Sequence, residues 1–334
     1  MKIAIHNRLT SFSERWIECC KQKNIDYKLV NAYDSNIVEH LADCDVFLWH
    51  HSHVDYRDAL FAKQLLYSIE ATGKKVFPDF NTGWYFDDKV GQKYLLESVG
   101  APLVPSYVFY TKSEALHWIS KTTFPKVFKL RGGAGAANVK LLRNASEARR
   151  LVRKAFGRGF PQFDRREYFK ERLRKFTQRQ DSFIGVLKAL ARQFIPTEFS
   201  KLRSPEKGYV YFQDFIENNS YDIRVIVIGD KAFSIKRLVR KGDFRASGSG
   251  YIIFEKEQLS EDAVRISFEV ASKLRSKCMG FDFVFSPSGP LIVEMGFGFA
   301  PQAYDDCEGY WTDDMQWHAG KFNPQEWILE DLLS

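Results

Sequence analysis

Residues 280–296 read Gly280-Phe-Asp-Phe-Val-Phe-Ser-Pro-Ser-Gly-Pro-Leu-Ile-Val-Glu-Met-Gly296, two apolar stretches around a short polar one. This pattern predicts a β-hairpin with a turn over residues 286–290. A register centred on Ser288 places Asp282 directly opposite Glu294, on the face that also carries Val284 and Ile292. Paired like charges on apolar strands are destabilising, so these carboxylates need a shared proton or a cation. Mg²⁺, which takes one or two carboxylates plus phosphate oxygens, is the better hypothesis. A register slip of one residue, which would separate the carboxylates, is the alternative.

A glycine-rich stretch lies between two other predicted strands, within residues 124–142, and contains Gly132, Gly133 and Gly135. It is not a P-loop, because no Gly-Lys-Ser/Thr follows. It is not a dinucleotide fingerprint either, because both flanking elements are strands. Backbone N–H groups of such a loop can approach phosphate oxygens closely, with Lys129 and Arg131 adding positive charge. Phosphate binding and a plain hairpin with a glycine bulge both remain open.

The order of predicted elements indicates an α/β domain followed by two α+β lobes. In the first hundred residues, predicted strands alternate with helices, which favours a parallel sheet covered on both faces. After about residue 104 the chain is richer in strands. We therefore expect three parts: residues 1–100, residues 101–212 with a basic helical insert at 149–207, and residues 213–334.

The charge is concentrated in that insert. The chain of 334 residues has a net charge of +7, and residues 149–207 alone hold 17 Lys and Arg against 6 Asp and Glu. Apolar residues at helical spacing in 183–195 suit either an anionic membrane surface or packing on the central lobe. No nucleic-acid motif accompanies the charge, so no nucleic acid is expected as a partner.

Composition also bounds the location of the protein. No run reaches the ~20 apolar residues of a membrane-spanning helix, and the N-terminus lacks the pattern of a signal peptide. The five cysteines are scattered without a CxxC pair, so neither a disulfide framework nor a zinc site is indicated. A cytoplasmic protein is expected, with peripheral contact with the inner face of the membrane as an alternative.

Three blocks of sequence resemble the ATP-grasp enzymes, and most closely the subgroup of glutamate ligases that extend the tail of a ribosomal protein. The blocks are Val127-Phe-Lys-Leu with the glycine loop, Gln213-Asp-Phe-Ile…Asp222-Ile-Arg-Val with Gly242-Asp-Phe-Arg245, and Gly280-Phe-Asp…Val293-Glu. The resemblance covers roughly residues 87–296. It implies an ATP-grasp fold, with an N-terminal α/β domain, a mobile central lobe and a C-terminal lobe, and with ATP clamped between the two lobes.

The resemblance also implies roles for individual residues. Lys129 and Lys89 would contact the nucleotide, and residues 132–135 would cover its phosphates. The strand that reads adenine would hold Gln213, Asp214, Phe215 and Ile216, and Asp222 would lie near the ribose. Three arginines would orient the carboxylate substrate or stabilise the transferred phosphate and the oxyanion: Arg224, Arg237 and Arg245.

The metal ligands implied by the resemblance are Asp282 and Glu294, the pair already singled out by the hairpin. The family usually has Asn two residues after this Glu, where this chain has Gly296. A second Mg²⁺ would then lose a ligand or take one from elsewhere, such as Asp305 or Asp306.

The implied reaction is ATP-dependent ligation of a carboxylate to an amine through an acylphosphate. The alternatives are an ATP-grasp phosphotransferase and a nucleotide-gated binding module without turnover. The aromatic and acidic stretch 297–318 resembles ATP-grasp proteins of bacterial surface-polysaccharide synthesis, which implies a sugar acid, or more widely a small-molecule or glycan carboxylate, as substrate. Packing of this stretch against its own lobe is the competing interpretation.

Overall fold

The computed structural model describes residues 1–53, 55–133, 139–161, 169, 172–173, 176, 182, 184–186, 188, 190, 205–239, 244–246 and 250–334. Contacts divide the chain into two compact units, residues 1–104 with 216–334, and residues 105–215. The three-part division expected from the sequence stays a prediction. Among the described residues, no helix has both the length and the apolar character needed to cross a membrane.

The first part of the larger unit is the expected α/β layer. Its four strands are all parallel in the order β2-β1-β3-β4. Every residue of β1 and β3 is buried, as in a sheet covered on both faces. The elements are β1 (Ile3–His6), α1 (Phe12–Gln22), β2 (Tyr27–Val30), α2 (Ile37–His40), β3 (Val46–Leu48), α3 (Tyr56–Glu70), β4 (Lys75–Phe77), α4 (Phe80–Gly83) and α5 (Lys89–Ser98).

The smaller unit is a four-stranded antiparallel sheet in the order β5-β8-β6-β7 with helices packed on it. The expected hairpin around the glycine-rich stretch is confirmed, since β6 and β7 pair antiparallel. The elements are β5 (Ser106–Phe109), α6 (Lys112–Ile119), β6 (Lys126–Lys129), β7 (Lys140–Leu142), α7 (Ala145–Ala155) and β8 (Val210–Asp214). Most of the basic insert after residue 161 lies outside the described residues, so its contact with a membrane stays a prediction.

The larger unit is completed by a second, antiparallel sheet in the order β13-β12-β9-β10-β14-β15, with β11 on the edge of β10. Two short 3-10 turns, Lys256–Gln258 and Pro301–Tyr304, connect elements within it. The elements are β9 (Tyr221–Ile228), β10 (Lys231–Leu238), β11 (Ile252–Ile253), α8 (Glu261–Leu274), β12 (Cys278–Ser286), β13 (Gly289–Gly296), β14 (Gly309–Thr312), β15 (Trp317–Ala319) and α9 (Pro324–Leu333).

One apolar core joins the two sheets of the larger unit. Ile3 and Phe12 from the first layer, Phe233 from β10 and Leu329 from α9 belong to the same buried cluster. Helix α9 begins with Asn323, whose side chain accepts the N–H of Gln325, and with Pro at the first helical position. The core therefore fixes the ends of the parallel strands with respect to the antiparallel sheet that carries Asp282 and Glu294.

The hairpin of β12 and β13 confirms the predicted pair but corrects the predicted turn. Asp282 lies directly opposite Glu294. The strands are joined more tightly than expected, because Ser286 pairs with Gly289. A bulge after Asp282 absorbs the one-residue difference, so that Ile292 pairs with Phe283 and is buried in the apolar cluster. The expectation that Ile292 shares the face of the two carboxylates is therefore wrong.

Candidate functional site

Two aspartates and two arginines form a largely buried ionic network on β9, β10 and β12, with side chains 9–22% exposed. Asp282 is directly opposite Arg224, and Asp222 is directly opposite Arg237. Arg224 donates from Nε and Nη2 to the two oxygens of Asp282 at 2.7 and 3.2 Å. Arg237 donates to both oxygens of Asp222 at 2.6 and 2.8 Å, and its Nη2 lies 2.9 Å from Oδ1 of Asp282. The central carboxylate, Asp282, is thus held from both sides.

The network keeps Asp282 ionised. Burial by itself raises the pKa of this carboxyl, but the guanidinium groups of Arg224 and Arg237 outweigh it and hold the pKa below its ordinary value. Asp222, whose pKa is raised by burial against the opposing effect of Arg237, completes a set of two carboxyl groups and two guanidinium groups. Asp282 is therefore ionised and held in place, so its oxygens can accept hydrogen bonds or bind a cation but cannot donate a proton.

Lys89 extends the site to the second carboxylate. It is the first residue of α5, whose N-cap is Asp88, and its side chain is almost wholly buried. Its Nζ lies 3.2 Å from Oε1 of Glu294, whose side chain is one-third exposed. The structure thus brings Lys89, Asp222, Arg224, Arg237, Asp282 and Glu294 together within one unit.

The paired carboxylates fit one Mg²⁺. Asp282 accepts three of the roughly four hydrogen bonds that a carboxylate can take, and Glu294 is accessible. Within the described part of the chain, no group of three or more His, Cys, Asp and Glu side chains could hold a metal. Mg²⁺ commonly binds through one or two carboxylates plus substrate phosphates, so two ligands suffice for one ion. Asp305, considered above as a replacement ligand, instead forms an ion pair with Arg15 at 2.5 Å.

Gly296 leaves room for the missing third ligand. It lies two residues after Glu294 on an unbroken register and therefore on the same face. A Cβ added there would meet no atom within 4 Å. We expect Gly296→Asn to fold normally and to lower the Mg²⁺ concentration needed for half-maximal nucleotide binding about tenfold, because it adds an oxygen ligand. Calorimetric titrations of nucleotide at several Mg²⁺ concentrations measure this; an unchanged Mg²⁺ requirement would contradict it.

The smaller unit carries most of the residues expected to bind the nucleotide, whereas Lys89, Ile216 and Asp222 belong to the larger unit. Lys129 ends β6 and is buried, and the glycine turn begins directly after it. The backbone N–H groups of Arg131 and Gly132 donate to the carboxylate of Glu206. Gly133 adopts a positive φ of 110°, a backbone conformation that favours glycine. Gly135 lies outside the described residues.

The predicted adenine strand is shorter than expected. Strand β8 ends at Asp214, so Phe215 and Ile216 follow the strand instead of lying on it. The side chains of its last two residues are engaged within the sheet: Gln213 donates to Ser106 at 3.0 Å, and Asp214 pairs with Lys126 at 2.6 Å. The backbone of β8 is therefore the part of the strand that could recognise adenine. That role stays a prediction.

Arg245 is half-buried, with its guanidinium carbon 6.0 Å from the ring centre of Phe244. Residues 240–243 and 247–249 on either side of it lie outside the described residues, and they include Gly242 of the matching block. Its role near the transferred phosphate stays a prediction.

The aromatic stretch after β13 packs largely into the protein. Phe297, Phe299, Tyr304 and Trp311 are all buried in the two apolar clusters of the larger unit. The competing interpretation of this stretch is thereby supported, and these four rings are not available to a sugar. Tyr304, to which the sequence analysis gave no role, lies near Arg224, and burial raises its pKa.

Two buried histidines follow β3. The ring of His50 stacks on Phe12 at 3.7 Å, and its Nδ1 accepts the N–H of Phe12. Burial, with a smaller effect from Arg8, lowers the pKa of His50 to about 3, and burial also lowers the pKa of His51. Both rings are therefore neutral in the folded protein at neutral pH.

Because His50 and His51 are buried in their neutral form, we expect the folded protein to lose stability in acid. The unfolded chain binds a proton at His50 near pH 6.5 while the folded chain does not, so the free energy of unfolding falls as the pH drops below about 6.5. Each such histidine contributes a slope of up to about 1.4 kcal/mol per pH unit. We expect His50→Asn to flatten the dependence between pH 6.5 and 5, measured by urea unfolding. The difference in the free energy of unfolding between His50→Asn and wild type at pH 8 gives the cost of altered packing, which does not depend on pH. Equal slopes of this free energy against pH for the two proteins would contradict the prediction.

Comparisons with known proteins agree with this geometry. Residues 182–300 match a RimK-like ATP-grasp domain. A probable alpha-L-glutamate ligase from Mannheimia succiniciproducens is 32% identical over 119 residues, which cover 35% of this chain and 36% of that protein. A RimK domain ATP-grasp protein from Sphaerobacter thermophilus matches with a TM-score of 0.57 and 14% identity over 100% of both chains. D-alanine–D-alanine ligase from Bacillus anthracis matches with a TM-score of 0.53 and 15% identity, over 100% of this chain and 97% of that chain.

The structural matches establish the fold, and the family match places the domain that carries Asp282 and Glu294. The chain therefore has the fold of the ATP-grasp structure it matches, and residues 182–300 resemble a RimK-like ATP-grasp domain. The fold expected from the sequence is confirmed. The match covers only about a third of the length of the curated relatives.

Proposed function

We propose that the protein is an ATP-dependent ligase that joins a small-molecule carboxylate to an amine. The observation that carries this proposal is the cross-strand pair of Asp282 and Glu294, held by Arg224, Arg237 and Lys89 inside a RimK-like ATP-grasp domain. ATP and Mg²⁺ are the proposed cofactors. When bound, Mg²⁺ would neutralise phosphate charge during phosphoryl transfer.

The proposed reaction has two steps. An oxygen of the substrate carboxylate attacks the γ-phosphorus of ATP, which breaks the bond to the β-phosphate oxygen and releases ADP. The nitrogen of the amine then attacks the carbonyl carbon of the acylphosphate. Phosphate leaves with the electrons of the C–O bond, the nitrogen loses a proton, and an amide remains.

The residues of this chain divide the work. Arg224 and Arg237 commit two of their three nitrogens each to the aspartates, so we assign them the positioning of Asp282. Glu294 is accessible beside Lys89, so we assign it as the carboxylate that would bind Mg²⁺ on the side of the nucleotide phosphates. Lys129 and the turn after it would hold phosphate oxygens, and Arg245 would act on the transferred group.

The substrate class follows the relatives rather than the aromatic stretch. The glutamate ligases that match residues of this chain suggest an amino acid or peptide as one partner. A sugar acid remains a narrower proposal, which has lost the support of the four buried rings. We therefore place amino acids and dipeptides first among the substrates to be tried.

The test is release of ADP and phosphate from Mg-ATP with a panel of amino acids, dipeptides and sugar acids. A ligase forms both products only when both an acceptor and a donor are present. ADP without free phosphate would identify a phosphotransferase instead. Nucleotide binding without turnover by any pair would favour a binding module, the second candidate, for which Gly296 in the place of the usual Asn is the specific observation.

A further inference from the structure

The carboxylate of Glu206 occupies the beginning of the glycine turn. Its Oε2 accepts the backbone N–H of Arg131 at 3.1 Å, and its Oε1 accepts that of Gly132 at 3.3 Å. The two oxygens of one carboxylate thus take two successive N–H groups. No motif of the sequence points to Glu206.

Glu206 is firmly placed by its surroundings. Its backbone pairs with that of the buried Phe160 through hydrogen bonds of 2.8 and 2.9 Å. Gly159 makes this approach possible, since a Cβ there would lie 2.7 Å from the carbonyl oxygen of Glu206. The hydroxyl of Tyr209 donates to the carboxylate and also accepts the N–H of Arg131 at 2.6 Å. The acidic side chain is therefore directed at the turn by several independent contacts.

Successive backbone N–H groups form a concavity that binds anions, including phosphates. Here the anion is the side chain of Glu206 in the protein itself, and the first N–H group that it accepts, that of Arg131, lies two residues after Lys129. A carboxylate in this position offers the same N–H groups the same kind of oxygen that a nucleotide phosphate would offer. It also places a negative charge where a phosphate would have to approach.

We propose that Glu206 is an internal anion that competes with nucleotide phosphates for the N–H groups of Arg131 and Gly132 and so weakens the binding of ATP. This inference rests on the proposed function, because it takes the turn after Lys129 as the place where phosphates bind. Glu206 would thus set the affinity for nucleotide by direct competition and would take no part in the chemistry.

The test is calorimetric titration of Glu206→Gln with adenosine, AMP, ADP and ATP in the presence of Mg²⁺. Gln keeps the size and one acceptor oxygen but removes the charge, and hydrogen bonds to charged groups are stronger than neutral ones by about a factor of ten in equilibrium. We expect the Kd for ATP to fall about tenfold, the Kd for ADP to fall less, and the Kd for adenosine to stay the same. A merely structural role would weaken all four ligands or none.

Glu147→Gln is the matched control. This glutamate lies in the same unit and also accepts a backbone N–H, that of Arg143 at 2.9 Å. It follows β7 in sequence, whereas the glycine turn precedes β7. It should leave all four affinities unchanged. Should Glu206→Gln fail to fold, Glu206→Asp, which withdraws the carboxylate by one methylene, should shift the affinities in the same direction. Unchanged or weaker ATP binding in the folded Glu206 variants would overturn this inference alone, whereas absence of ATP binding by wild type would overturn the proposed function.

Discussion

We expect Glu294→Gln to keep the fold and to lower the rate of ATP turnover at least about a thousandfold. The substitution preserves size but removes the charge of the accessible member of the carboxylate pair. Loss of a metal-binding carboxylate removes several kcal/mol of charge stabilisation from phosphoryl transfer, which corresponds to three or more powers of ten in rate. Steady-state release of ADP measures the effect.

The fold should tolerate this change because the side chain of Glu294 is one-third exposed. Its contact with Lys89, at 3.2 Å, is also longer than the closest contacts of Asp282 with its arginines. Because its partner Lys89 is buried, we expect the free energy of unfolding to fall by about 1–2 kcal/mol, less than for Asp282→Asn. Glu269→Gln, an exposed glutamate on α8 in the same unit, is the matched control and should turn over ATP at the wild-type rate. Turnover by Glu294→Gln within tenfold of wild type would remove Glu294 from the site.

Asp282→Asn is expected to destabilise the larger unit by about 2–4 kcal/mol. The carboxylate is only 14% exposed and lies between Arg224 and Arg237, with contacts of 2.7 and 2.9 Å. An amide of the same shape leaves the largely buried Arg224 without its compensating charge, whereas Arg237 keeps Asp222. Urea unfolding followed by circular dichroism measures the loss.

The control for this prediction is an ion pair of the same kind on the surface. Asp262 contacts Arg265 at 2.8 Å on α8, and both side chains are more than half exposed. Asp262→Asn should change the free energy of unfolding by no more than about 0.5 kcal/mol, since exposed ion pairs contribute little. Equal losses for the two variants would show that burial does not strengthen the network.

The local parts of the site could be predicted from the sequence. The hairpin is short-ranged, and its two carboxylates stand out against apolar neighbours, so the pairing of Asp282 with Glu294 was accessible. The bulge could not be predicted, because a tighter turn combined with one extra residue in β13 still pairs Asp282 with Glu294. The burial of Ile292 depends on this detail.

The ionic network could not be predicted, because it depends on the order of strands. Asp282 meets Arg224 only because β12 lies beside β9, and Arg237 meets Asp222 only because β10 lies on the other side of β9. Strands were recognisable from their apolar patterns, but strand order is set by packing between distant parts of the chain. Arg224 and Arg237 contact Asp282 in the structure, and the role toward the substrate that the resemblance implied for them stays a prediction.

Glu206 shows the same limit. Residues 205–208, Pro-Glu-Lys-Gly, carry no signal beyond that of a polar turn. The contact of Glu206 with Arg131 joins residues far apart in sequence, and Phe160 helps to place it. A carboxylate that faces a glycine turn becomes visible only when both are folded.

The most direct test of the central claim follows an oxygen atom through the reaction. The productive carboxylate substrate, labelled with ¹⁸O in its carboxyl group, is incubated with Mg-ATP, the amine and the protein, and the released phosphate is analysed by mass spectrometry. If an acylphosphate forms, one carboxyl oxygen leaves with the phosphate, so ¹⁸O-phosphate and ADP accumulate in equal amounts with the amide. Unlabelled phosphate, or a phosphoryl group retained on the substrate, would contradict the account.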